Sequence, residues 1–204
     1  LGRPLALGIV LDRDYRPDSE IEEVRASLAE HLQFVHLLQR KEIENYLLVT
    51  GPLIRAVSAA IRERARRTGE TLPAIPELTA TLLAVADTFK DDLIGQYISR
   101  LRAAPQHSGM DPATVITLGF SEFEKRWSTL DGRMNLVPGK RYIKDLNIYL
   151  QARHQVQVTA TAIIDAFHRE EVPHEMSELL SALDTFRRKR VSADDTTPSG
   201  QAPL

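Results

Sequence analysis

Cysteine is absent from the sequence of 204 residues, which excludes disulfide scaffolds, thiolate metal sites and cysteine nucleophiles. Long apolar runs are absent too: no stretch approaches the roughly 18 residues of a membrane-spanning helix, and the first residues carry no signal-peptide pattern. We therefore expect a cytoplasmic protein that does not bind a membrane. Neither charge predominates, since 26 Lys and Arg face 28 Asp and Glu for a net charge of −2. This balance excludes a histone-like nucleic-acid coat but leaves room for a local phosphate site.

The N-terminal segment has the pattern of a βαβ unit. An apolar run over residues 5–11 predicts a buried strand, the acidic stretch from Asp18 predicts a helix start, and an apolar run over 33–38 predicts a second buried strand. Strand, helix and strand within about 38 residues match the size of such a unit. We therefore expect α/β structure at this end of the chain.

The rest of the chain is predicted to be mostly helical, because apolar residues recur at helical spacing. Pro138 stands where a helix would begin, and residues 103–112 have the composition of a loop. Apolar periodicity ends near residue 187, so we expect a disordered tail over 188–204. The remaining helices are expected over 53–67, 77–101, 120–130, 159–168 and 174–186.

Acidic residues follow both predicted strands. Asp12 and Asp14 come directly after the first strand, and residues at i and i+2 of an extended chain point to the same side. Ligands bind at the carboxyl ends of strands in open α/β sheets, and converging carboxylates suit Mg²⁺ or Mn²⁺. Glu42 and Glu44 follow the second strand and share this edge if the strands are neighbours. The alternative is structural, because Asp14 and Asp18 can instead cap the following helix.

Two separated segments of the chain resemble one known family. The run IVLDRDYR, followed about thirty residues later by LLQRKEIENYLL, resembles the Toprim domain of the OLD (overcoming lysogenisation defect) family of ATP-dependent endonucleases. The stretch PGKRYIKDLNIYL, leading to REEVPHEMSELLSAL, is similar to the distal end of that domain. The resemblance covers roughly residues 5–50 and 134–187.

The resemblance implies an α/β fold with a Rossmann-like Toprim core whose N-terminal edge is missing from this chain. Core strands with the acidic motifs would occupy residues 1–50, and a mainly helical insertion 51–133. The distal Toprim part, with the Pro-Gly-Lys motif and the closing helices, would occupy 134–187.

The resemblance also implies roles for individual residues. Asp12, Asp14 and Glu44 match the metal ligands of the family, which hold two Mg²⁺ or Mn²⁺ ions. Glu44 and Lys140 would be the catalytic residues, with the lysine near the scissile phosphate. Glu42 competes with Glu44 for the ligand role, but Glu44 aligns with the motif.

Asn45 and Tyr46 are expected to be structural, and none of the six histidines has the spacing of a helical zinc site. Basic residues that could contact DNA are Arg62, Arg66, Arg133 and Arg141, for which a solvated surface is the alternative.

The function implied is the endonuclease portion of an OLD-like ATPase–nuclease, acting on DNA in defence against phage. Because no GxxxxGK[ST] phosphate loop is present, the ATPase domain would lie upstream in the parent chain or in a partner. Homo-oligomers would form through that domain. The glutamate that Toprim domains carry upstream of the Asp-x-Asp strand is also absent, so we expect this fragment alone to be weakly active or inactive. The alternative is a catalytically inactive Toprim-like module that binds or regulates within an ATPase complex.

Overall fold

The computed structural model describes residues 6–16, 18–69 and 75–194. Its fold is α/β and mostly helical, with one small parallel sheet in the described part of the chain. In those ranges no helix combines the length and the apolar character that crossing a bilayer requires.

The N-terminal segment forms the predicted βαβ unit. Strand β1 (Gly8–Leu11) is followed by helix α1 (Asp18–Ala29) and strand β2 (Phe34–Leu37). The strands pair in parallel with Gly8 opposite Phe34 and Leu11 opposite Leu37, so both strands end at the same edge. We call this unit, residues 8–37, the βαβ corner.

The strands are less buried than their apolar sequences predict. Leu37 is the only buried residue in the two strands, while Ile9, Val10 and Leu11 are half-buried. A parallel strand is buried when helices cover both faces and further strands cover its edges. Here two strands form the described sheet, so the prediction of fully buried strands is wrong for this part of the chain.

The chain continues from β2 into a short 3₁₀ helix (Ile43–Leu47) and then into a helical body. Two further single-turn 3₁₀ helices lie at Pro105–His107 and Arg169–Glu171. The helices of the body are α2 (Thr50–Thr68), α3 (Ile75–Asp87), α4 (Lys90–Ala103), α5 (Pro112–Trp127), α6 (Leu130–Leu136), α7 (Gly139–His154), α8 (Ala160–Asp165) and α9 (His174–Asp194).

The single helix predicted over 77–101 is in fact two helices. The break lies at Phe89, whose N–H donates to the carbonyl of Ala86 (3.0 Å), a spacing of three residues that tightens the chain. Helix α3 packs against α7, whereas α4 packs against α5. Phe89 is buried at the break, so the apolar pattern continues although the helix does not.

Other helix boundaries differ by smaller amounts. Helix α5 begins at Pro112 rather than near residue 120, because Asp111 caps it by accepting a hydrogen bond from Thr114 N (2.9 Å). Helix α7 begins directly after Pro138, as predicted. Helix α9 continues to Asp194, beyond the predicted end at 186. Of the predicted tail, residues 195–204 lie outside the described residues.

One apolar core joins the predicted insertion to the distal segment. Phe123 and Trp127 of α5 are stacked with ring centroids 5.3 Å apart, and the Tyr142 hydroxyl of α7 donates to the carbonyl of Leu82 in α3 (2.9 Å). All four residues are buried in this core. A much smaller cluster, formed by Leu38, Tyr46 and Leu179, lies beside the sheet.

Candidate functional site

Asp12 follows β1 at the edge where both strands end. Its Oδ1 accepts a hydrogen bond from the backbone N–H of Ile43 (3.1 Å), the first residue of the 3₁₀ helix. Leu38 N continues the strand pairing by donating to Leu11 O (2.9 Å). These two bonds hold the segments after β1 and β2 side by side, as the parallel register requires.

Asp14 and Asp12 do not line the same depression of the surface, in contrast to the i, i+2 expectation. The backbone of Asp14 is left-handed, with φ of 53°, a conformation that Asp tolerates better than most residues. Its N–H donates to the carbonyl of Lys41 (2.9 Å), and its carboxylate pairs with Arg16 (3.2 Å). Because the chain is no longer extended at Asp14, the rule that places alternate side chains on one side does not apply.

Glu42 is engaged in holding the structure together. It precedes the 3₁₀ helix and forms a capping box with Asn45, in which each side chain accepts from the other residue's backbone N–H. The carboxylate also pairs with the Lys41 ammonium (2.7 Å) and accepts from Lys140 N (3.3 Å). The Glu42 carboxylate is therefore already engaged by an ammonium group and a backbone N–H.

Glu44 differs from Glu42 in this respect. Its side chain is half-buried, and among residues 6–16, 18–69 and 75–194 no group donates a hydrogen bond to its carboxylate or pairs with it. A half-buried carboxylate without a partner favours a cation beside it. This difference supports the assignment of Glu44 rather than Glu42 as the ligand residue.

Asn45 and Gly139 bring the Pro-Gly-Lys turn against the 3₁₀ helix. Asn45 is fully buried, and its Nδ2 donates to the carbonyls of Met134 (2.7 Å) and Val137 (2.9 Å). A Cβ on Gly139 would lie 2.7 Å from Asn45 N and 2.9 Å from the carbonyl carbon of Glu44. Glycine is thus required for the close approach of α7, which places Lys140 beside the strand ends.

The resulting surface depression, which we call the Asp12 groove, contains most of the predicted site. Lys140 and Lys144 are four residues apart on α7, and both are exposed. Their position i and i+4 on one helix puts them on the same face, a signal in the sequence that identifies Lys144 as well. The charged residues that line the groove are Asp12, Glu42, Glu44, Lys140, Arg141 and Lys144.

Like charges in and near the groove affect Asp12. Burial raises the pKa of the Asp12 carboxyl, and repulsion from Glu44, Glu42 and Asp14 raises it further, while the hydrogen bond from Ile43 N opposes the shift. Each of these carboxylates makes ionisation of Asp12 less favourable, and a bound cation would reverse that effect.

The donor set fits one hard divalent ion better than two. Asp12 and Glu44 supply carboxylate oxygens from one groove, and Mg²⁺ is commonly held by one or two carboxylates with waters and substrate phosphates. Asp14, the expected third ligand, lies in a neighbouring pocket. Within the described parts of the chain, no group of three or more His, Asp or Glu side chains is close enough to hold a metal ion.

The arginines predicted to contact DNA are distributed unevenly. Arg141 lines the groove and stacks over the Phe89 ring (5.1 Å). Arg133 instead pairs with Asp87 (2.7 Å), at the end of α3. Arg62 and Arg66 lie in α2, about 18 and 24 Å along the helix from its start, and they line neither the groove nor the pocket described next.

A second depression lies beyond the Asp14 turn, and sequence reasoning did not identify it. We call it the Arg40 pocket; its charged residues are Arg13, Asp14, Arg16, Arg40, Lys41 and Arg126. The first five come from the strand ends and Arg126 from α5, so no local sequence pattern could have connected them.

Glu175 was also not predicted. It is buried near the start of α9 and contacts Gln39 N (2.8 Å), His36 Nε2 (3.0 Å) and the Tyr46 hydroxyl. These bonds attach α9 to the segment after β2. Tyr46 therefore has the structural position that was expected for it.

No family model, no curated protein and no solved structure matches this chain.

Proposed function

We propose that this chain is the endonuclease portion of an OLD-like ATPase–nuclease, which hydrolyses phosphodiester bonds of DNA with Mg²⁺ or Mn²⁺. The observation that carries the proposal is the Glu44 carboxylate. It has no partner in the described structure and shares a groove with Asp12, Lys140 and Lys144. Carboxylates that need a cation, next to ammonium groups that need an anion, suit a metal-bound phosphate.

The residues of the groove have distinct tasks under this proposal. Asp12 and Glu44 hold the divalent ion, which when bound supplies a Lewis acid for the phosphate and its attacking water. Lys140 supplies positive charge where negative charge develops on the phosphate oxygens. Glu42 keeps the start of α7 in place through Lys140 N. A second ion, as in the two-metal sites that the resemblance implies, would need the Asp14 carboxylate to leave Arg16.

The wider assignment belongs to the same proposal. It includes a Rossmann-like Toprim core, a cytoplasmic role in defence against phage, and DNA as the substrate. It also includes an ATPase domain, upstream or in a partner, through which homo-oligomers form. The parallel pairing of β1 and β2 supports the Toprim part, with Asp12 directly after β1 and Glu42 and Glu44 in the segment that follows β2.

Metal binding and cleavage should be measured separately, because we expect the chain alone to cut weakly. Mn²⁺ binding by this chain can be followed by the electron paramagnetic resonance of free Mn²⁺. We expect Asp12→Asn and Glu44→Gln each to weaken binding by at least about tenfold, since each removes a ligand charge. Glu23→Gln, at an exposed position of α1, is the matched control and should bind as the parent does.

Cleavage of supercoiled plasmid should be measured for the chain together with its ATPase part. Lys140→Ala should lower the cleavage rate about 100-fold or more while Mn²⁺ binding stays near normal. Lys125→Ala, at an exposed position of α5, is the control for lost positive charge. Unchanged cutting by both Asp12→Asn and Glu44→Gln would refute the proposal.

The alternative function is a Toprim-like module that binds or regulates without cleaving. The observation that favours it is the position of Asp14, whose carboxylate pairs with Arg16 and lies outside the groove. In that case Mn²⁺ would bind weakly, and no plasmid would be cut with either metal in the presence or absence of ATP.

A further inference from the structure

The Arg40 pocket has a strong excess of positive charge. Five cationic side chains and one carboxylate line it, and they come from both the βαβ corner and the helical body. Its volume is about 310 Å³, at the lower end of the roughly 300–1,000 Å³ of ligand pockets. The Tyr15 hydroxyl, on the wall, donates to Leu136 O (3.2 Å) and fixes the two regions to each other.

Carboxylates inside the protein neutralise only some of these cations. Arg16 pairs with Asp14 (3.2 Å) and Glu20 (3.3 Å), and Lys41 pairs with Glu42 (2.7 Å). Arg40 and Arg126 form no salt bridge with a carboxylate anywhere in the described ranges.

Arg40 is half-buried and is held in position by groups that leave its charge uncompensated. One of its guanidinium nitrogens donates to the carbonyl of Asn45 (2.8 Å), and the guanidinium lies 4.9 Å from the centre of the Tyr46 ring. Burial lowers the pKa of Arg40, which more distant Glu175 and Asp131 partly oppose. A positioned, partly desolvated guanidinium favours an anion with several acceptor oxygens.

Arg126 of α5 lines the same pocket as Arg40. Its guanidinium lies 5.9 Å from the centre of the Tyr97 ring, and its side chain is exposed to solvent. Arg40 and Arg126 thus line one pocket from separate parts of the chain, and two guanidinium groups suit the several acceptor oxygens of a phosphate group.

We propose that the Arg40 pocket binds a phosphate of a nucleic-acid backbone, at a position separate from the phosphate in the Asp12 groove. That the ligand is a nucleic acid is inferred from the proposed function, whereas the preference for a phosphate group is inferred from the residues of the pocket alone. An extended ligand is favoured because Asp14, Tyr15 and Arg16 also line a second open groove, which continues along α4 past Gln96, Ser99 and Arg100. A polymer can occupy both, whereas a small phosphate fills only the pocket.

The test is DNA binding without divalent ions, so that cleavage and metal binding play no part. Anisotropy of a labelled oligonucleotide in EDTA gives the dissociation constant and its dependence on salt. Arg126→Gln should weaken binding about fivefold to tenfold and reduce the slope of log K against log salt by about 0.7–0.9, the loss of one phosphate contact. Arg153→Gln, at an exposed position of α7 outside the pocket, should have little effect.

A variant that is expected to strengthen DNA binding, and not to weaken it, tests the same pocket. Asp14→Asn removes the one carboxylate that lines the pocket in the described part of the chain, while Asn still tolerates the left-handed backbone. DNA binding in EDTA should therefore strengthen. If Arg126→Gln and Asp14→Asn both bind DNA as the parent does, the proposal is wrong.

The source of the phosphate is tested with inorganic phosphate in a thermal shift assay. A stabilisation by millimolar phosphate that Arg126→Gln abolishes, with DNA affinity unaffected by that variant, would overturn the polymer as the ligand. The proposed nuclease is refuted by a separate result: unchanged cleavage by both Asp12→Asn and Glu44→Gln, whatever the pocket binds.

Discussion

The helical body and the βαβ corner are stabilised in different ways. In the described structure the core of the body contains 22 buried residues, from Leu48 to Ile163, whereas the cluster beside the sheet contains three. The corner instead depends on polar links, such as those from buried Glu175 to Gln39 N and to His36. The candidate groove lies where the two regions meet, because Asp12 comes from the weakly packed corner and Lys140 from α7, whose Tyr142 belongs to the large core.

The largest expected effect is on the free energy of unfolding when an apolar side chain is truncated in the core of each region. Phe123 is fully buried in the body, so Phe123→Ala should cost about 3–5 kcal/mol of unfolding free energy. Val10 in β1 is half-buried, so Val10→Ala should cost about 1 kcal/mol or less. Urea unfolding measures both, provided that the m-value stays constant. Equal losses would contradict the difference between the regions.

A smaller effect is expected where the two regions meet. Gly139→Ala places a Cβ against the backbone of Asn45 and Glu44 and should cost about 1–3 kcal/mol through overpacking. Mn²⁺ binding should weaken as well, because α7 is displaced from the 3₁₀ helix.

Gly95 provides the matched control. It is exposed within α4, and a Cβ there meets no atom within 4 Å, so Gly95→Ala should stabilise the protein by about 0.5–1 kcal/mol through helix propensity. If both substitutions destabilise the protein equally, the close approach at Gly139 is not the reason for the loss of stability in Gly139→Ala.

The smallest expected effect depends on pH and involves an ion pair within the body. Glu171 pairs with Arg55 and accepts from His168 N (2.8 Å), and both interactions lower the pKa of its carboxyl below the usual 4.5. The ionised form is therefore favoured in the folded state. This stabilisation is present above the pKa of the unfolded chain and is lost as the pH falls through the lower, folded value.

Glu171→Gln should accordingly lower the Tm at pH 7, and the difference from the parent should close as the solution is acidified below about pH 4. Thermal unfolding across this range is the measurement. Glu23→Gln, at an exposed position, should show no such dependence. A difference in Tm that persists in acid would mean that the amide disturbs packing rather than removing a charge interaction.

The parts of the fold that could be predicted are those with local causes. The apolar runs and the acidic start of α1 define the βαβ corner, and Pro138 defines the start of α7. The break at Phe89 could not be predicted, because its cause is tertiary: α3 and α4 pack against different helices, while the apolar pattern continues through the junction.

The residues of the candidate site can likewise be divided into those that the sequence could predict and those that it could not. The motif resemblance predicted Asp12, Glu44 and Lys140 as site residues, and these three line one groove. The position of Asp14 could not be foreseen, because a single left-handed residue changes the direction of its side chain. The presence of Arg40 and Arg126 in one pocket also has no local sequence signature, because the two residues are 86 positions apart and come from different regions of the fold.

The bonds that build the Asp12 groove also bear on the order of folding. Asp12 and Ile43 are 31 positions apart, Asn45 and Val137 are 92 apart, and Glu42 and Lys140 are 98 apart. Closing such long loops costs chain entropy that local helical contacts do not incur. We expect the groove to form after the body and to open before it, so Gly139→Ala should accelerate unfolding more than it slows refolding in stopped-flow experiments. The candidate site would then be the last part of the molecule to assemble.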